Sequence, residues 1–219
     1  MRAALYDALG AVLGHPGPGY SDDIARAIAL CEDGYPEAAA ALREFSRLLP
    51  EGDPLALAEL HTRTFDVQPV TSLDVGYTLF GEDYKRGALL ANLSREHADA
   101  GNDCGLELAD HLTNVLRLLP RMADAAIRQE LVAVLVEPAV REMVREFEPP
   151  NLVKKEELYR KHLKTVLATA PGEQRLAYRH ALLAVKIVLQ RDFSLRAPLP
   201  VVTESKFTSA VGAELGIEA

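Results

Sequence analysis

Apolar residues recur at helical spacing in nearly every segment of this 219-residue chain, and this pattern constrains its fold more than any other feature. Residues 36–49 are typical, with Leu42, Phe45 and Leu49 on one side of the projected helix. Such a stripe fits one buried face of an α-helix. No run of alternating strands at regular spacing is present. The pattern predicts an all-α fold, a single-domain bundle of about eight to ten helices.

The breaks in the pattern predict where the helices end. We expect helices at about 2–13, 22–30, 36–49, 54–66, 82–100, 107–119, 121–136, 138–147, 152–169 and 172–191. Residues 67–81 contain Pro69, Gly76 and Gly81 and break the periodicity, which indicates an ordered loop or a short extended piece. Residues 1–192 are predicted to form the helical domain. Residues 193–219, which lack periodicity, are predicted to be a mobile C-terminal tail.

Composition and charge exclude one class of function and favour another. The chain has no Trp and 6% aromatic residues, so we expect a core of mostly Leu, Ala and Val. The net charge of −8 argues against a general nucleic-acid binder, which needs excess cations to neutralise phosphates. Acidic side chains are concentrated in residues 1–149, whereas residues 150–192 are net basic. An acidic body suits a basic partner by electrostatic steering, although an acidic surface can also serve solubility alone.

Cysteine usage and hydropathy predict a cytoplasmic protein. Cys31 and Cys104 form no CxxC pair, no zinc spacing and no disulfide framework, which indicates two reduced thiols. The N-terminal stretch resembles a signal peptide superficially, but Asp7 interrupts it and no small-residue cleavage site follows. No apolar run approaches the roughly 20 residues that a bilayer requires, so we expect no stable membrane insertion.

The sequence offers no constellation for catalysis or metal binding. Gly14, Gly17 and Gly19 form a glycine cluster, but it lacks the Walker lysine and follows no predicted strand, so a helix-to-helix loop is the better interpretation. Zinc-protease and nucleophile-elbow motifs are absent. Two histidines and a cysteine lie seven residues apart, at His97, Cys104 and His111, yet the glycine break between them opposes a shared helical face. We therefore predict that the protein has no metal site.

Two short polar segments stand out. In the first, Asp110 and His111 stand at a predicted helix start, where they can cap the helix or present an acceptor and a donor to a ligand. In the second, Arg86 is followed by Gly87 inside a predicted helix, where glycine costs about 1 kcal/mol relative to alanine. Close contact with a neighbouring helix or with a bound peptide backbone would each explain that glycine.

Five short segments occur in one order between residues 60 and 112. They are Leu60-x4-Phe65-Asp66, Ser72-Leu73, Tyr77, Gly81-Glu82-x3-Arg86-Gly87 and Glu107-Leu108-x-Asp110-His111-Leu112. Together they resemble the NarJ/TorD family of molybdoenzyme assembly chaperones, and most closely its NarJ-like, nitrate reductase delta-subunit branch. The sequence departs from that pattern at several positions, which indicates a divergent member serving a relative of nitrate reductase. His61 replaces a usual Tyr, Asp74 an aromatic residue, Thr78 a His, Tyr84 an Arg, and Ala109 and Thr113 two prolines.

The resemblance implies a function that composition does not. Family members are not enzymes in the usual sense, so the resemblance implies that this protein is not an enzyme. They are all-helical cytoplasmic chaperones that bind the catalytic subunit of a molybdenum oxidoreductase, often at an N-terminal, twin-arginine-like segment. They keep that subunit competent for insertion of molybdopterin guanine dinucleotide, and no cofactor is expected to be bound stably by the chaperone itself. Nitrate, chlorate, selenate, dimethyl sulfide and hydrocarbon enzymes all stay open as clients, as do a monomer, a homodimer or helix swapping, and contact with a nucleotide.

We expect a client helix to lie in a groove between helices, with acidic side chains at the rim binding its arginines. The candidate client-binding residues are Asp66, Tyr77, Gly81, Glu82, Asp83, Gly87, Asp110 and His111. Phe65, Arg86 and Leu112 are expected to support them, with Arg86 as an internal ion-pair partner that holds the 67–81 segment to the helices. The tail from Phe193 is a candidate cover for the groove, although a free chain end is favoured. Two alternatives remain: a helical regulatory or scaffold protein, and a hydrolase using Asp and His residues.

Overall fold

The structure is a computed structural model that describes residues 2–162 and 172–195. Its regular secondary structure is helical, and the described residues contain no β-strand. The helices are α1 (Ala3–Leu13), α2 (Tyr20–Glu32), α3 (Pro36–Leu48), α4 (Pro54–Phe65), α5 (Val75–Phe80), α6 (Tyr84–Asp99), α7 (Leu112–Leu118), α8 (Ala125–Leu131), α9 (Glu137–Arg145), α10 (Pro149–His162) and α11 (Ala177–Asp192). A π-helical stretch at Val132–Val136 joins α8 and α9 into one continuous helix, which leaves ten helices in the described chain. The predicted all-α bundle is confirmed.

Helices α1 and α11 form the centre of the bundle. Helix α1 packs against α2, α7 and α11, while α11 also packs against α3 and α9. The core is mostly Leu, Ala and Val, as the composition predicts. Tyrosines add polar ties within it: Tyr6 and Tyr35 both donate their hydroxyls to the carboxylate of Asp192, at the end of α11. Burial is the main cause that raises the pKa of Tyr6, so its hydroxyl stays a donor.

Local sequence signals explain where several helices begin. Asp53, Asp83 and Asp124 each precede a helix and accept hydrogen bonds from its first free backbone N–H groups. Pro36 and Pro54 occupy first-turn positions, where a missing N–H costs nothing. The glycine cluster at residues 14–19 is a helix-to-helix loop between α1 and α2, as predicted, and Gly19 takes a left-handed conformation with φ of 83° before α2.

The interpretation of residues 67–81 as non-helical is wrong for their second half. Residues Val75–Phe80 form α5, whose first-turn N–H of Gly76 donates to the carboxylate of Asp110. The first half is extended at Asp74, which forms an isolated antiparallel bridge with His111. The residue that stabilises α5 lies 34 positions along the chain from Gly76, so local sequence patterns could not reveal the helix.

The predicted helix at 107–119 begins later than expected. Its α-helical part starts at Leu112, and residues 107–111 form turns that lead into the bridge with Asp74. Asn114 holds these turns because its side-chain amide donates to the backbone carbonyls of Cys104 and Leu108. The side-chain hydrogen bonds of a buried asparagine therefore order these residues, in place of the predicted helical turn.

The predicted break between helices at 136–138 is also wrong. The chain continues from α8 into α9 through the π-helical stretch, in which the N–H of Glu137 bonds to the carbonyl of Val132. Pro138 follows immediately and lacks a donor, and the wider π turn accommodates it without ending the helix. The predicted break at 148–151 is shorter than expected, since α10 already begins at Pro149.

The C-terminal predictions are only partly within the described residues. Of the predicted helix 152–169, the structure describes the part up to residue 162, and α11 is preceded by a 3-10 turn at Gly172–Leu176. Phe193 is buried and Leu195 packs partly against the core. Residues 196–219 of the predicted mobile tail lie outside the described residues. Among the helices that the structure describes, none combines the length and apolarity needed to cross a membrane.

Candidate functional site

A buried ion cluster centred on Arg86 links α5, α6 and the residues before α7. The guanidinium of Arg86 donates to Asp74 at 2.7 Å through Nη2 and to Asp110 at 3.2 Å through Nε. It also lies 5.3 Å from the ring centroid of Tyr77, which is cation–π distance. This is the internal ion-pair arrangement expected for Arg86, and it holds the 67–81 segment to the helices.

Asp110 is not at a rim. Its side chain is fully buried, and Oδ2 accepts from the Gly76 N–H at 3.1 Å as well as from Arg86. It therefore caps the first turn of α5, not the helix that follows it in sequence, which is preceded by His111. The expectation that Asp110 steers a client's arginines from the surface is corrected by this burial, because a carboxylate enclosed by Arg86 has no exposed oxygen.

Sequence reasoning missed two members of this cluster, Asp74 and Gly76. A β-carbon on Gly76 would lie 2.7 Å from Asp110 Oδ2 and 2.9 Å from Leu89 Cδ2, closer than packed atoms approach. Asp74 is half-buried. Its burial, and to a smaller extent the neighbouring Asp110 carboxylate, raise the pKa of Asp74, whereas Arg86 lowers it. The only sequence signal was the departure from the family pattern at Asp74, where a carboxylate replaces an aromatic side chain.

His111, the bridge partner of Asp74, lies beside this ion cluster. It is half-buried, with Nδ1 2.7 Å from the hydroxyl of Thr113 and Nε2 3.9 Å from the exposed carboxylate of Glu107. It is close enough to influence the pKa of both Asp74 and His61. His111 therefore adds an imidazole beside Asp74, its partner in the bridge.

At the end of α4, a buried histidine lies next to an exposed acid. His61 bonds through Nε2 to the carbonyl of Leu13, the last residue of α1, at 3.1 Å. Its Nδ1 lies 3.9 Å from Asp66 Oδ2, and the Asp66 side chain is 56% exposed. Phe65 packs beside the imidazole ring with centroids 5.0 Å apart. Asp66 is thus placed at the surface, supported from beneath by His61 and Phe65.

The remaining predicted contacts lie mostly at the surface around α5 and the start of α6. Tyr77 and Tyr84 are 43% and 57% exposed, and Glu82 and Asp83 are exposed between them. Asp83 also accepts from the Lys85 N–H as the cap of α6. Gly81 ends α5 with a φ of 62°, a backbone conformation that favours glycine.

Gly87 and Leu112 complete the predicted set. Gly87 is exposed, and no described atom lies within 4 Å of where its β-carbon would be. Helix–helix contact therefore does not explain this glycine within the described chain. Leu112 is fully buried at the start of α7, and its N–H donates to the carbonyl of Leu73, which fastens the bridge between the two segments.

The arrangement offers binding chemistry at its surface. Each of its segments pairs exposed carboxylates with apolar or aromatic side chains nearby in sequence, a combination that suits a basic, partly apolar peptide. These side chains are Asp66, Glu82, Asp83 and Glu107 for the acids, and Val67, Tyr77, Tyr84 and Leu108 for the apolar surface. In the part of the chain that the structure describes, no group of three or more His, Cys, Asp or Glu side chains could hold a metal ion.

Neither models of known protein families nor the sequences of curated proteins match this chain.

Proposed function

We propose that this protein is a cytoplasmic chaperone for the catalytic subunit of a molybdenum oxidoreductase. It binds a basic N-terminal segment of that subunit, keeps the subunit competent for insertion of molybdopterin guanine dinucleotide, and dissociates before assembly is complete. In this proposal the protein is not an enzyme and holds no cofactor stably. The starting point is the ordered resemblance of residues 60–112 to the NarJ/TorD family.

One structural observation supports the proposal most. Four of the five segments that carry the resemblance, spread over about 40 residues from Ser72 to Leu112, come together around Arg86 and Asp110. Arg86 ties Asp110 to Asp74, and Leu73 bonds to Leu112 across the bridge. Residues of these four segments therefore share one internal support, formed by Arg86 and the two carboxylates that it bonds.

The chemistry of that surface fits the proposed client. Exposed carboxylates attract arginines over several ångströms and raise the rate of encounter, and exposed tyrosines supply amphipathic contact area. Asp66, Glu82 and Asp83 are the acids assigned to client arginines, with Tyr77 and Tyr84 as aromatic contacts. Gly87 leaves space at the surface of α6 for a close approach of the client backbone. Asp110 acts only indirectly, by fixing α5.

The test is affinity capture from native cytoplasm, with the partners identified by mass spectrometry. The wild-type chain is expected to recover one large molybdopterin oxidoreductase subunit. The triple variant D66N/E82Q/D83N should recover about tenfold less, since each exposed ion pair contributes up to about 1 kcal/mol. Asparagine at residue 83 retains the helix cap, so the loss is not one of folding.

A matched control removes three exposed acids elsewhere, in the variant D33N/E51Q/D99N. It changes net charge equally and should capture the client as well as the wild type. Equal loss in both triple variants would show that overall charge, not this surface, matters. Recovery of no oxidoreductase subunit while its operon is expressed would instead favour the scaffold alternative.

A further inference from the structure

Two buried histidines in this protein have the same backbone bond but differ at the other ring nitrogen. His61 and His97 each place Nε2 about 3 Å from a backbone carbonyl, that of Leu13 at 3.1 Å and that of Ala109 at 3.0 Å. Because a carbonyl can only accept, Nε2 carries the proton in both neutral rings. His97 Nδ1 then accepts from the side-chain amide of Asn102 at 2.8 Å, whereas buried His61 Nδ1 has no hydrogen-bond partner among the described residues.

The group that can satisfy His61 Nδ1 is Asp66. Its carboxylate oxygen lies 3.9 Å from Nδ1, just beyond hydrogen-bond distance, and its side chain is more than half exposed and therefore free to turn. A neutral Nδ1 offers that carboxylate nothing, since both atoms are acceptors. A proton on Nδ1 converts the pair into an imidazolium that donates to a carboxylate.

Other groups face the ring from each element packed against it. The C-terminal carbonyl of α1 at Leu13 favours the cation, as does Asp66. Burial opposes it most strongly and lowers the pKa of His61, with smaller opposing effects from His15 and His111. The ring of Tyr178, from α11, lies edge-on with centroids 5.5 Å apart. The His61 cation therefore forms on the acid side of the ordinary histidine range.

We propose that His61 and Asp66 form a proton-controlled latch on the client surface. Uptake of one proton at His61 Nδ1 draws the Asp66 carboxylate into an ion pair and withdraws it from client arginines, so client binding weakens as the pH falls. This regulatory role rests on the proposed function, because it assumes that Asp66 contacts the client. Conversely, an arginine held by Asp66 disfavours protonation of His61, since linkage is reciprocal.

The latch itself is tested without any client, by ring-nitrogen NMR of the full chain between pH 8 and pH 5. His61 is expected to be the Nε2–H tautomer at high pH and to gain a proton at Nδ1 on acidification. Asp66→Asn should move the His61 titration to lower pH by removing the attracting charge. The titration of His97, held by Asn102, should not move. An unchanged His61 titration in Asp66→Asn overturns the latch.

The effect on binding is tested with a defined probe, a fluorescent helical peptide in which two arginines precede a Leu/Ala-rich stretch. Wild-type affinity should fall about threefold to fivefold from pH 7.5 to pH 5.5, the share of one exposed ion pair. His61→Gln, which keeps the donor to Leu13 but cannot titrate, should lose twofold or less. An equal loss in both proteins overturns the coupling.

A third outcome separates this inference from the proposed function. If the peptide is not bound at any pH, the assignment of the surface to a basic client is wrong, and the regulatory role of the latch is wrong with it. The NMR titration still decides whether the ion pair forms. Replacing His15 and His111 by Asn in separate variants identifies any part of the pH dependence that arises from those residues.

Discussion

The Asp110 carboxylate stabilises a helix to which its own segment does not belong. It caps α5 through Gly76 and neutralises Arg86, all without exposure to solvent. Removing a buried acceptor is costly because its donors stay behind with fewer hydrogen-bond partners. A residue that the sequence pattern assigns to ligand contact can therefore act instead by fixing the shape of the site.

Asp110→Ala is expected to lower the free energy of unfolding by about 2–3 kcal/mol, because the Gly76 N–H loses its side-chain acceptor and Arg86 keeps only Asp74 as a partner. Asp110→Asn keeps an oxygen that can accept and should cost clearly less. Urea denaturation followed by circular dichroism measures both. A loss below about 1 kcal/mol in Asp110→Ala would show that the carboxylate is not structural.

Two glycines near the site, one enclosed and one at the surface, should respond in opposite ways to substitution by alanine. Gly76→Ala should destabilise by about 1–3 kcal/mol, because the added methyl group overlaps Asp110 and Leu89. Gly87→Ala should stabilise by up to about 1 kcal/mol, because it lies in an exposed helix with open space around it. Thermal unfolding measures whether Gly76→Ala lowers and Gly87→Ala raises the stability of the protein. If Gly87→Ala is more stable but captures less client, the client backbone approaches α6 at this glycine.

At the scale of elements, the site depends on α5, a helix of six residues that is too short to be stable alone. It packs against α9 and the adjoining π-helical stretch, and its first turn is fixed by Asp110. Its exposed Tyr77 is in turn supported by Arg86 from α6. The orientation of the proposed client surface is therefore set by contacts from three other parts of the chain.

Elements that carry their own signals could be predicted, and α5 could not. Helices α3 and α4 begin at prolines and bury one periodic face, so their bounds follow from the local sequence. The start of α5 depends on a carboxylate far along the chain, and the turns before α7 depend on Asn114. In the site, the exposed positions of Asp66 and Glu82 fit the prediction. The burial of Asp110 required tertiary contacts that no spacing reveals.

At the scale of the whole molecule, buried neutral histidines make stability depend on pH. Burial is the main cause that lowers the pKa of both His61 and His97 in the folded chain. The unfolded chain, with histidine pKa values near about 6.5, binds more protons as the pH falls below that value. Stability should therefore be fully present above about pH 6.5 and decrease as the pH falls towards the lowered folded-state values.

Urea midpoints measured at pH 7.5 and pH 5.5 check this dependence. His61→Gln and His97→Gln should each reduce the difference between the two midpoints, whatever they do to the midpoint at pH 7.5. A wild-type midpoint that does not fall on acidification would contradict the neutral burial of these histidines.

For the whole molecule, we propose that this protein makes a catalytic subunit competent for cofactor insertion. The most direct measurement uses the subunit that the capture experiment identifies. That subunit is purified from cells that lack this chain, and its content of molybdopterin guanine dinucleotide is measured. We predict a cofactor-deficient subunit, restored by the wild type and by D33N/E51Q/D99N but not by D66N/E82Q/D83N. A subunit fully loaded with cofactor in the absence of this chain would contradict the proposed chaperone function.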